Sequence, residues 1–175
     1  MIHHNAGAMV LPATGPRLAR QADVSALARV INRAYEVERF FVVGHRTSEA
    51  AVAEYLDRAD AVFLVVDDGA APGELAGAVY IEIRGDRGYF AMLSVDPRRQ
   101  GSGLGRLLVT AAEEHCRTAG CTFLDIEVVN RRTELPAFYV KFGYAPYATA
   151  PFPSVERLSR SAHLVLMTKP LVPLW

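Results

Sequence analysis

The chain has 175 residues, 51% apolar and 22% charged, and its 19 basic and 19 acidic side chains cancel. That size supports one folded domain over 1–175 with a proper core, and the cancelled charge argues against nucleic acid or an anionic membrane as partner, since both reward a basic surface. No apolar run approaches the roughly 20 residues of a membrane span, and two cysteines, Cys116 and Cys121, read as buried thiols rather than a disulfide scaffold.

Residues 1–16 read as a loose leader. They lack the charged-then-apolar layout of a secretory signal, so a cytoplasmic location is expected. His3 and His4 read as solvated side chains, and no metal is expected. Leu18 and Ala19 suggest a short first strand. Asp23 is placed to cap a helix whose apolar positions are Val24, Leu27, Ala28, Ile31 and Ala34. Thr47 or Ser48 caps a second helix through Ala51, Tyr55 and Leu56.

Ala61 to Asp67 is a continuous apolar run, as expected of a strand covered on both faces. Leu75 to Ile83 and Gly88 to Val95 follow as strands joined by the tight turn GDRG. Pro97 ends the third strand, because it has no N–H for a ladder. Next come Gly101, Gly103 and Gly105, then a helix with Leu104, Leu107, Leu108, Ala111, Ala112 and His115 on one face. Thr122 to Asn130 is a strand, parallel to Gly88–Val95 because a helix connects them. Glu134 to Phe142 is a short helix with Pro136 in its first turn and Gly143 as its stop. The proline-rich stretch 146–162 reads as irregular, either a substrate loop or a surface connection. His163 to Thr168 closes the sheet, and the apolar tail to Trp175 suggests a homodimer through this last strand. The order implies an α/β fold with a mixed antiparallel and parallel sheet and helices on both faces.

The glycine-rich turn carries the chemistry. The first N–H groups of a helix lack partners within it, and its dipole makes that end partly positive. Glycines let a phosphate approach the main chain, and Arg98, Arg99 and Arg106 add forked donors. The bland reading is a flexible Gly/Ser turn. A Walker loop is excluded, since Arg106 and Leu107 stand where Lys and Ser/Thr are required, and so is GxGxxG from either Gly101 or Gly103.

Gln-x-x-Gly-x-Gly does fit, at Gln100, Gly103 and Gly105. It resembles the acyl-CoA pyrophosphate loop of the GCN5-related N-acetyltransferase (GNAT) family. A second stretch resembling that family runs from Leu124 to Tyr144, with Asn130, Tyr139, Gly143 and Tyr144 in the signature places. The resemblance implies acetyl-CoA as co-substrate and two central strands that splay to hold its pantetheine arm. It implies cofactor contacts from Leu93, Ser94, Val95, Gln100, Gly101, Ser102, Gly103, Leu104, Gly105, Arg106 and Asn130. It also implies Tyr139 as general acid, and an acceptor side formed by the first two helices, with Tyr35, Glu38, Phe40 or His45 touching the acceptor.

The reaction expected is acetyl transfer to a primary amine of a small molecule or peptide. The base stays open among Asp125, Glu127, Glu82, Glu38 and a water chain, with Asp125 favoured for its place before Asn130. The rival readings are a non-catalytic acyl-CoA-binding domain and a transferase of another acyl group.

Overall fold

A computed structural model describes residues 15–172; the leader to residue 14, with His3 and His4, and the tail from 173 to 175 lie outside the described residues. Three strands form an antiparallel meander: β2 (Ala61–Asp67), β3 (Leu75–Arg84) and β4 (Arg87–Val95). Their side chains alternate between faces. On β3, Val79 and Ile81 enter one core with Leu104, Leu108 and Ala112 of α3 (Leu104–Thr118). Ala78 and Tyr80 enter the other, with Leu27, Val30 and Ile31 of α1 (Val24–Tyr35) and Val52 of α2 (Glu49–Leu56). Because both faces are covered, AVFLVVD shows no alternation.

β1 (Arg17–Leu18) edges β2, and the full sheet of seven strands has the order β1-β2-β3-β4-β5-β7-β6. α3 carries the chain across to β5 (Phe123–Val129), which runs parallel to β4. This is a mixed sheet with helices on both faces, as the element order implies. Ser48 caps α2, accepting from Ala51 N at 3.2 Å. Asp23 does not cap α1: a short 3-10 turn, Gln21–Asp23, precedes the helix, and the Asp23 carboxylate accepts from Arg20 N and from Arg17 instead.

One sequence expectation is overturned at the far edge. The stretch read as irregular contains all but the first residue of β6 (Ala145–Pro151), which pairs with β7 (His163–Pro170). Its prolines, Pro146 and Pro151, are tolerated because β6 is the edge strand. β7 in turn lies between β5 and β6, so both of its edges are paired within the chain. Among the described residues, no helix is long and apolar enough to cross a membrane.

The parallel pairing of β4 with β5 is short. It joins Arg87 to Phe123, Gly88 to Leu124 and Tyr89 to Asp125, and stops. Beyond it the strands diverge, while β4 stays paired with β3 and β5 with β7. A bulge accompanies the divergence. Between the pairs Tyr80–Ala91 and Ala78–Ser94, β4 carries Met92 and Leu93 against Val79 alone, and Met92 takes φ 50. An extra residue bends the strand that holds it.

Candidate active site

α3 begins at the glycine-rich turn. Gly103 sits at φ 83 in the left-handed region as its N-cap, and Gly101 at φ 78 shapes the approach. These angles are costly for residues with a β-carbon, which explains the glycines. A cavity of about 440 Å³ opens against this helix start. Gln100, Gly101, Gly103, Leu104, Gly105 and Arg106 line it on one side, with Leu93 and Val95 from diverging β4 and Arg99 beside them. Arg106 rests over the Phe142 ring at 5.2 Å, and Arg99 is steadied by Asp68 at 2.6 Å.

A second cavity, about 160 Å³, occupies the fork between β4 and β5 on the α1–α2 side. Tyr89 to Leu93 and Glu127 to Val129 wall it, and Tyr35, Glu38, Val42 and Arg46 cover it. Phe152 to Ser154 and Arg157, from the segment between β6 and β7, close the far end. That closure is stitched through the main chain. Val42 bridges Leu158, Val43 N donates to Arg157 O at 2.8 Å, and Ser159 N donates to Phe41 O at 2.9 Å.

Tyr35, Glu38, Leu93, Leu135 and Tyr139 line both cavities. The two chambers therefore meet at one acid, two phenols and two aliphatic side chains. Glu38 ends the 3-10 turn (Glu36–Glu38) that extends α1, and is only 8% exposed. Burial raises its carboxyl above the usual range, opposed by the charges of Arg132 and Arg46. Arg132 Nη1 reaches it at 3.4 Å, while the same guanidinium donates to Glu134 at 2.6 Å. Tyr139, on α4 (Glu134–Val140), is buried against Phe90, Phe138 and Tyr144. Burial, helped by Tyr35, pushes its phenol up, so the proton stays on Oη at neutral pH.

Other residues singled out in the sequence lie elsewhere. Asp125 lines neither cavity. It sits at the paired end of the fork, accepting from Arg87 at 2.7 and 2.6 Å and from Thr168 at 2.6 Å. Burial alone would raise it, but these bonds outweigh burial and hold its carboxyl below the usual range. Glu82 is likewise engaged, by Tyr80 and Arg84. The Asn130 side chain accepts from His163 N at 2.9 Å, anchoring the start of β7. Ser94 is buried and donates to Met92 O inside the bulge, and the Ser102 hydroxyl donates to Arg99 O. Phe40 stacks edge-on against Phe41, 47% exposed, and His45 contributes its carbonyl to Arg157. Arg98 is spent on Asp96. Sequence reasoning missed Arg46, Arg132 and Arg157: nothing in their local pattern marks them, since each acts on a residue distant in the chain.

A glycine-shaped helix start beside a forked parallel pair, with two chambers meeting at a buried acid and a phenol, is the arrangement of the mixed-sheet fold that the resemblance at Gln100, Gly103 and Gly105 implies. The acetyltransferase (GNAT) family model matches residues 28–144, and the chain belongs to that family. Glucosamine 6-phosphate N-acetyltransferase 1 of Oryza sativa subsp. japonica is 38% identical over 93 residues, covering 49% of this chain and 54% of the rice protein. Mycothiol acetyltransferase of Nocardia farcinica is 33% identical over 89 residues, covering 49% of this chain and 29% of that protein. The chain thus matches about half of the first relative's length and less of the second. The fold resembles that of the ribosomal-protein-S18-alanine N-acetyltransferase from Escherichia coli, with a TM-score of 0.73 at 18% identity, covering 91% of this chain and 95% of that one. A Salmonella typhimurium structure that includes its cofactor acetyl-CoA aligns with a TM-score of 0.71 at 20% identity, covering 91% and 94%.

Proposed function

We propose that this chain transfers the acetyl group of acetyl-CoA to the primary amine of an acceptor held in the fork cavity, with both substrates bound at once. The early end of the β4–β5 pairing carries this reading: it leaves strand edges that an amide-rich arm can bond, with a chamber on either side. The residues present suit the carrier. Main-chain N–H groups at the α3 start, with Arg99 and Arg106 lining the same cavity, match a diphosphate. Acetyl-CoA would supply a thioester, an acyl group activated towards amines.

The protein's own groups supply proton handling and charge stabilisation. An amine near pKa ~10 must lose a proton before it attacks. Glu38 is the base: its raised carboxyl accepts a proton more readily than an ordinary one, and it borders both chambers. Asp125, tied to Arg87 and Thr168, is unsuited to that task. Tyr139 Oη is the acid, giving its proton to the departing sulfur. Main-chain N–H groups of the Leu93–Val95 segment stabilise the negative charge that develops on the carbonyl oxygen.

The test is a screen of amines, amino acids and peptides with acetyl-CoA, read as free thiol. Amine-dependent thiol release that Glu38→Gln and Tyr139→Phe both suppress supports the assignment. Coenzyme A binding without transfer to any amine points instead to an acyl-CoA-binding module. Release from a longer acyl-CoA alone points to another acyltransferase.

A further inference from the structure

The fork cavity also says something about its acceptor, provided the transferase reading holds. Arg46 lines this cavity and not the one at the α3 start. Its guanidinium lies over the Tyr35 ring at 5.2 Å, and among the described residues it enters no ion pair. The cavity's other guanidinium, Arg157, is already committed, donating to Val43 O at 3.1 Å and to His45 O. Glu38 takes its direct bond from Arg132, so Arg46 acts on it only through charge. Across the cavity, Glu127 accepts a single hydrogen bond, from Tyr89 at 3.3 Å, and likewise enters no ion pair among the described residues. One cation and one anion that enter no ion pair among the described residues thus line the same small chamber, whose far end lies beside the Val42–Leu158 bridge.

We infer that the acceptor is a small primary amine that also carries an oxyanion, a carboxylate or a phosphate, which Arg46 binds. The amine lies towards Glu127 and Glu38, and the oxyanion takes the forked donors that no protein carboxylate uses. The closed end and the chamber of about 160 Å³ favour a compact molecule over a chain passing through. An ion-assisted hydrogen bond of this kind is worth about 10- to 100-fold in affinity.

Calorimetry on the coenzyme A-loaded protein tests this without requiring turnover. Matched pairs differ only in the oxyanion: β-alanine against β-alaninamide, and phosphoethanolamine against ethanolamine. The charged member of at least one pair is expected to bind about 10-fold or more tightly than its neutral partner, and the pair that discriminates tells carboxylate from phosphate. Arg46→Gln should bring that pair to within about threefold, and Arg46→Lys should keep part of the preference. Coenzyme A binding by each variant reports that it has folded. Equal or tighter binding of the neutral members, a preference that survives Arg46→Gln, or no binding by any member overturns the inference. Acetyl transfer to neutral amines under those outcomes would leave the transferase reading intact, and failure of transfer to every amine would strike that reading separately.

Discussion

The two ends of the β4–β5 pair use the same backbone for opposite purposes. At the paired end, Arg87, Asp125 and Thr168 saturate one another across three strands, and Gly88 lets Cys116 and Leu124 close over the ladder. At the forked end the ladder stops, cavities take its place, and Glu38 and Tyr139 stand where nothing saturates them to the same degree. A carboxylate held by three short hydrogen bonds is a poor proton acceptor; one buried beside a single long contact is a good one. On the proposed function, holding and reacting are separated by only a few residues of strand.

The sharpest way to break this comparison is to neutralise one acid at each end. Glu38→Gln should lower kcat by about 10²–10⁴-fold, whereas Asp125→Asn should leave kcat within a few-fold, as read by thiol release. If Asp125→Asn proves the more damaging for turnover, the base has been put at the wrong end. The acid limb of kcat/KM should also lie above the ordinary glutamate value of ~4.3, because Glu38 must be ionised to act and burial raises its carboxyl. Tyr139→Phe comes next, with a loss of about 10- to 10³-fold in kcat and coenzyme A still bound.

The remaining effects fall on stability. A β-carbon at Gly88 would meet Cys116 Sγ at 2.5 Å and Leu124 Cδ1 at 2.9 Å. Gly88→Ala should therefore cost about 1–3 kcal/mol, seen as a lowered melting temperature. Asp96, at the end of β4, is bonded by Arg98 and paired with Arg33 at 3.0 Å. The Arg98 bonds lead in drawing its carboxyl down to about 2, from an ordinary value of ~3.9. A depressed carboxyl stabilises the fold above its unfolded pKa, and that contribution fades as pH falls through the folded one. Asp96→Asn should therefore melt lower than the parent above pH ~4 and converge with it towards pH ~2. Smallest is Asp125→Asn, about 1 kcal/mol, because Arg87 is 40% exposed and water screens the pair.

What the sequence made legible follows the range of the forces involved. The meander, α3 and its glycine turn are written in local patterns: unbroken apolar runs, a proline stop, and glycines at left-handed positions. β6 was hidden because its prolines argue against a strand unless the strand is known to be an edge, and edge position depends on β7. The acids were hidden for a related reason. Asp125 and Glu38 have equal claims as side chains, and what separates them is Arg87 and Thr168 around one and burial near Arg132 around the other. The Asn130 amide illustrates the same limit: a family position suggests a ligand contact, and only the fold shows that the amide oxygen accepts from His163 N.

The bulge at Met92 gives the forked sheet an arithmetic character. Opposite Val79, β4 is one residue too long, and that surplus accompanies its departure from β5. Removing a single residue there would restore an even count along the hairpin, pair Leu93 with Val79, and keep Ser94 opposite Ala78 and every face from Leu93 onward as it is. One lost codon would then take away the bend that accompanies the fork, with both walls of the cradle and every other residue of the protein unchanged.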